Sequence, residues 1–161
     1  MPVAPGNPAP RAQALALAGG PVDLAGLAAG GPALLFFYKG ECGASVAAAH
    51  VLPRLAAVSG VAVAAVSQDG EAETRAFAAA HALGAAVRLL VDPEPWPASS
   101  SYGIESTPTF VLLAPGGRVE TIIEGWSCDD ANALAARAAA LAGAPAPVVS
   151  TPADGPAFRP G

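Results

Sequence analysis

The six residues ALLFFY, 33 to 38, are apolar without a break and run straight into Lys39–Gly40. A strand whose side chains shun water on both faces needs a layer above it and a layer below. VAVAAVS at 61–67 and VRLLVDP at 87–93 have the same character. Between these runs lie two alanine-rich stretches too long to be strands. One extends from Cys42 to about Val58, and Pro53 within it removes a backbone donor and predicts a kink near His50. The other is EAETRAFAAAHAL at 71–83, with Asp69 placed to cap it.

PTFVLLAPGGRVETIIEGW, 108–126, reads as a hairpin around the turn PGGR. Ser127, followed three residues later by Asp130, opens a last helix to about Ala142. Ahead of ALLFFY, QALALA (13–18) suggests a short edge strand and VDLAGLAA (22–29) a helical turn. Parallel crossovers followed by an antiparallel hairpin predict an α/β fold, a three-layer α/β/α sandwich on a mixed central sheet. Residues 1–12 and 143–161 are rich in Pro, Ala and Gly and lack periodicity. They are expected to be a disordered N-terminal segment and a flexible tail around a domain at 13–142.

Composition narrows the function. Eight Lys and Arg residues, scattered singly in a chain of net charge −5, offer no footprint for nucleic acid or an anionic membrane. No apolar run approaches the roughly 18 residues of a bilayer span. Prolines stand where a secretory leader has a basic start, which predicts a cytoplasmic chain; a mature exported form that has shed its leader is the other reading. Two cysteines make no disulfide framework, and His50 and His81 have no ligand spacing around them, so no metal is expected. The glycines of GGPALL and PGGRVE are turn glycines, not phosphate loops, and no cofactor is expected. Nothing in the sequence specifies an oligomeric state.

The chemistry converges on KGECGASVAAAH, 39–50. Cys42 falls where a buried strand passes into a helix, and a helix N-terminus lowers a thiol's pKa. Lys39 adds to that effect, Glu41 subtracts, and the Ser45 hydroxyl is placed to donate to the sulfur. The plain alternative is an inert buried thiol.

FFYKGEC and STPTFVLL (106–113), the latter followed by a hairpin, a glycine and a helix, resemble the thioredoxin superfamily. The intervening βα unit, with the phrases VSQD and SYGIESTPTFVLL, resembles its TlpA-like, redoxin branch over about residues 13–142. The resemblance implies a thioredoxin-like sandwich with an inserted βα unit. It puts Cys42 at the nucleophilic position and makes Pro108 a cis-proline opposite it. The Thr107 backbone would then pair with a substrate strand, and Gly125 would line the same groove.

The departures from the family pattern concern the chemistry. Ser45 replaces the resolving cysteine, giving Cys-x-x-Ser; Glu41 stands at an aromatic position, and His50 at the usual helix proline. The implied activity is thiol–disulfide oxidoreduction on protein or small-molecule thiols and disulfides. Cys42 attacks, and an external thiol or Cys128 resolves. Bridging Cys42 to Cys128 requires Cα atoms within roughly 7 Å, and a larger resting separation is expected. Two alternatives remain open. One is a degenerate binding module holding a client at the Pro108 groove. The other, from the local echo of Cys-Gly-x-Ser in KGECGAS, is a monothiol-glutaredoxin-like carrier. The peroxiredoxin pattern Pro-x-x-x-Thr-x-x-Cys is not met, because Leu35 and Lys39 stand at its proline and threonine.

Overall fold

The structure, a computed structural model, describes residues 3–161. In chain order its elements are β1 (Gln13–Ala16), β2 (Pro21–Asp23), β3 (Ala33–Tyr38), α1 (Gly43–Ala48), α2 (Val51–Ala56), β4 (Ala62–Ser67) and α3 (Glu71–Ala80). There follow β5 (Val87–Val91), α4 (Pro97–Ser101), β6 (Thr109–Leu113), β7 (Val119–Glu124), β8 (Trp126–Ser127), α5 (Cys128–Ala142) and β9 (Phe158–Arg159). Strand order in the main sheet is β2-β1-β5-β4-β3-β6-β7. β3, β4 and β5 run parallel, whereas β6 opposes β3, β7 opposes β6 and β1 opposes β5. This is the mixed α/β sandwich of the thioredoxin-like fold.

All six residues of β3 are buried, and alternation sends them to two separate cores. Leu34, Phe36 and Tyr38 pack with Leu52, Leu55 and Leu134 on one face; Leu35 and Phe37 pack with Leu24, Ala98 and Tyr102 on the other. Burying each such side chain contributes roughly 1.5–3 kcal/mol, so the run that demanded two covering layers also supplies much of their cohesion.

The Cys42–Val58 stretch divides into α1 and α2 around Ala49–His50. Pro53 has no N–H to give the Ala49 carbonyl, and Leu52 N–H takes that carbonyl instead at 3.2 Å. α3 ends at Ala80, earlier than its sequence pattern, because Ala82 turns left-handed (φ 49°) and Leu83 N–H bonds back to the Ala78 carbonyl. Asp69 does not cap α3, whose N-cap is Gly70; its carboxylate accepts from Gly40 N–H at 2.7 Å and ties down the loop before Cys42. Buried Asp92 caps α4, accepting from Ala98 and Ser99 N–H.

Both flanks depart from the expectation of disorder. Residues 1 and 2 lie outside the described residues, but Gly6 and Ala9 N–H donate to the Val119 and Gly117 carbonyls, and Pro8 bridges Arg118. After α5 the chain folds back over the α1/α2 face. Asn132 Oδ1 accepts from Val149 and Ser150 N–H, and its Nδ2 donates to the Ser150 carbonyl. Val149 is fully buried, and Arg54 forms a two-point ion pair with Asp154 at 2.8 Å. The physical reason is that a few side chains on α2 and α5 satisfy this backbone one residue at a time, which needs no periodicity in the segment. No helix among the described residues is long and apolar enough to cross a membrane.

Candidate active site

Strand register assembles the site. β3 and β6 are antiparallel neighbours, and Phe37 at the end of β3 pairs with Thr109 at the start of β6. Residues just past β3 must therefore meet those just before β6. β7 opposes β6 with Thr109 against Glu124, and Gly125 N–H donates to the Pro108 carbonyl at 2.8 Å. One end of the sheet thus collects Cys42, Thr107, Pro108 and Gly125.

Cys42 is the N-cap residue of α1, half-buried, with its Sγ donating to the Thr107 carbonyl at 3.1 Å. The Thr107–Pro108 peptide bond is cis. Burial opposes ionisation of the thiol, but donors at the helix start outweigh it: the Ser45 N–H and hydroxyl, the Thr107 hydroxyl and the Ala44 N–H. The net effect holds the Cys42 pKa below its ordinary value. The buried Ser45 hydroxyl makes no hydrogen bond among the described residues, so it is free to turn toward the Cys42 sulfur, and its influence there lowers the thiol pKa. Lys39 and Glu41 are exposed, and the Lys39 ammonium lies over the Trp96 ring at 4.9 Å, a cation–π contact.

Cys128 is placed differently. It is the first residue of α5, half-buried and unbridged; Asn132 Nδ2 approaches its sulfur at 3.8 Å, and its own N–H donates to the Ala157 carbonyl. Both cysteines are free thiols packed against the same core. Trp126, between Gly125 and Cys128, is buried and packs edge-on against His50.

Sequence reasoning missed the residues that close this end of the molecule: Asn132, Ser150, Asp154 and Arg159. His50 Nε2 bonds the Ser150 hydroxyl at 2.8 Å, and a Cβ at Gly43 would run into the Arg159 guanidinium. One signal for them was present. TPAD at 151–154 has the Thr-Pro-x-Asp pattern of a capped turn, and a reciprocal capping box forms there.

A family model described as AhpC/TSA family matches residues 5–122. The chain belongs to the AhpC/TSA family. Among curated protein sequences no relative matches this AhpC/TSA member. Of solved structures, a secreted Mycobacterium tuberculosis disulfide oxidoreductase homologous to E. coli DsbE is 25% identical, with TM-score 0.60, covering 70% of this chain and 82% of that one. A putative thiol:disulfide interchange protein DsbE from Chlorobium tepidum is 24% identical, with TM-score 0.75 and 86% and 98% covered. MTB DsbF, in its mixed oxidised and reduced forms, is 24% identical, with TM-score 0.71 and 84% and 98% covered. The fold of this AhpC/TSA chain is thus that of thiol:disulfide oxidoreductase-like redoxins.

The Ser45 hydroxyl gives a direct test. Removing its hydroxyl in Ser45→Ala is expected to raise the Cys42 pKa. A hydroxyl that turns to donate to the thiolate contributes about 1 kcal/mol, so alkylation of Cys42 at neutral pH should slow several-fold. The pH–rate midpoint should move upward, because less thiolate is present below it. An unmoved midpoint would remove Ser45 from the site.

Proposed function

We propose that this protein exchanges thiols and disulfides with Cys42 as its single attacking sulfur. The observation that carries the reading is the half-exposed Cys42 Sγ at the start of α1, 3.1 Å from the Thr107 carbonyl, with its pKa lowered. The Cys42 thiolate attacks one sulfur of a substrate disulfide; the Cys42–substrate bond forms, the substrate bond breaks, and the other half leaves as a thiolate. Ser45 has no sulfur with which to resolve the adduct. An external thiol, of the kind a reducing cytoplasm supplies, attacks it, takes the substrate half into a new disulfide and returns Cys42 as thiolate. Thr107, Pro108 and Gly125 form the wall along which the substrate chain lies, Thr107 offering backbone to pair with it.

A second reading is favoured by the serine at position 45 and the unbridged state of both cysteines: a module that traps a client on Cys42 and holds it. One experiment separates them. The protein is mixed with a disulfide substrate, glutathione is added, and adduct and product are followed by mass spectrometry in wild type and Cys128→Ser. Exchange through an external thiol predicts repeated turnover, with Cys128→Ser within about twofold of wild type, since thiol attack follows thiolate availability at Cys42. An adduct that persists through excess glutathione identifies the holding module, and loss of turnover in Cys128→Ser makes Cys128 the resolving thiol.

A further inference from the structure

The wall just described is already occupied. β9 pairs antiparallel with β8, Arg159 against Trp126 and Phe158 against Ser127, and the Ala157 carbonyl accepts from Cys128 N–H at 2.7 Å. Beyond β9 the chain crosses Gly125, where a Cβ would lie 3.1 Å from Gly161 N and 3.3 Å from the Arg159 carbonyl oxygen. Residue 161 lies against Thr107: a Cβ on Gly161 would lie 2.6 Å from the Thr107 carbonyl oxygen, the atom that accepts from Cys42. Gly125 has φ +75°, so this close backbone approach and the local turn both favour glycine.

This strap, Pro156–Gly161, is fastened at its near end and loosely held at its far end. The anchors lie upstream or at its first residue: Asn132 on Val149–Ser150, Arg54 on Asp154, and the Trp126 indole N–H on the Pro156 carbonyl at 2.7 Å. Past Pro156 there remain the Cys128 N–H bond to the Ala157 carbonyl, a two-residue ladder, the exposed Arg159 side chain over Gly43, and the contacts at Gly125 and Thr107. Residues 157–161 are all exposed, Phe158 by 69%, so lifting them exposes little apolar surface. Segments with few buried contacts open at the low end of a protein's stability range. Cys42 itself remains half-exposed beneath the strap.

Resting on the exchange reading above, we propose that the strap is a built-in occupant of the substrate wall and selects substrates by shape. Small disulfides reach Cys42 with the strap in place, whereas a disulfide within an extended polypeptide reaches it only after displacing residues 157–161 from Gly125 and Thr107. A site competent in only a fraction of molecules shows its apparent affinity reduced by that fraction. The strap therefore handicaps polypeptides and spares small molecules.

The test uses two probes with one leaving group, 2,2′-dithiodipyridine and a ten-residue extended peptide carrying a 2-thiopyridyl disulfide on its cysteine. Release of 2-thiopyridone is followed in a Cys128→Ser background. Gly161→Val keeps the full chain but drives a side chain into the Thr107 carbonyl; a second variant stops after Gly155. Both are expected to react with the peptide probe at least about tenfold faster than the parent, by the competent-fraction argument, and with the small probe within about twofold. Hydrogen exchange on the parent should show the amide at position 128 deprotected in the peptide adduct and protected in the thiopyridyl adduct. Unchanged peptide rates, equal acceleration of both probes, or an amide at position 128 protected in both adducts would overturn the strap. A small probe that reacts no faster with the parent than with free cysteine at neutral pH would overturn the exchange reading instead.

Discussion

Replacing Cys42 with serine is expected to reduce disulfide exchange to the uncatalysed background, and replacing Ser45 with cysteine to change the stoichiometry of the reaction. The first follows because an alcohol has neither the acidity nor the nucleophilicity of a thiolate at neutral pH. The second follows from placement. Ser45 is buried one turn along α1 from Cys42, and helix geometry puts Cα atoms three residues apart about 5 Å from each other. That spacing falls inside the separations a disulfide tolerates, roughly 4.4–6.8 Å between Cα atoms. In Ser45→Cys the adduct on Cys42 is attacked from within the chain, the substrate leaves as a free thiol, and the protein keeps the oxidation as a bridge between positions 42 and 45. Intramolecular attack has an effective molarity far above any added thiol, so reduction of substrate without external thiol should rise well over tenfold, to one disulfide per chain. Stopped-flow release of a chromogenic thiol, with free-thiol counting before and after, checks both variants. A Ser45→Cys protein that keeps the wild-type stoichiometry places the sulfur and position 45 in separate environments.

The sheet was legible from period, and the meeting of Cys42 with Thr107 from the resemblance of their two motifs to the thioredoxin superfamily; strand register supplies the physical reason for both. ALLFFY can be buried on both faces only at the centre of a sandwich, and the strand that opposes it begins two residues after Thr107, so the two motifs come together at one sheet end. Asp69 was less legible. A carboxylate just before a helix reads as a cap, and only the fold shows that Gly40 N–H reaches it first. The segment from Gly143 onward was not legible by periodicity, since its order comes from isolated side chains on other elements: Asn132, Trp126, and His50 and Arg54, the last two about 95 to 100 positions away. Proline-rich composition reports the absence of helix and ladder; it carries no information on whether isolated side chains elsewhere satisfy that backbone. The strap over Gly125 was hidden for the same reason. Glycine there reads equally as a turn or as room for a strand, and both uses coincide.

Truncating Trp126 is expected to be the most damaging single change outside the thiol. The ring is among the largest fully buried side chains, 1% exposed, and its loss opens a cavity where α1, α5 and the folded-back segment meet. Trp→Ala substitutions in cores cost about 3–5 kcal/mol. Whole domains have roughly 5–15 kcal/mol to lose, and at about 2–4 °C per kcal/mol for a chain of this size the Tm should fall by roughly 6–20 °C. Two further losses are coupled to the cavity: His50 loses its edge-on partner at 5.2 Å, and the Pro156 carbonyl loses the indole N–H. Trp126→Phe separates these effects. It fills most of the volume and removes only the hydrogen bond, worth about 1 kcal/mol, so its Tm should stay within a few degrees of wild type while protection of the residues after Pro156 falls. Calorimetry on both variants, with amide exchange at Cys128 as the local reporter, reads the two contributions apart. If Trp126→Phe proves as unstable as Trp126→Ala, the indole N–H is the chief contribution and the cavity a minor one. If the phenylalanine variant keeps full protection at Cys128, the Pro156 anchor is dispensable and the strand pairing of Ser127 with Phe158 holds the segment by itself.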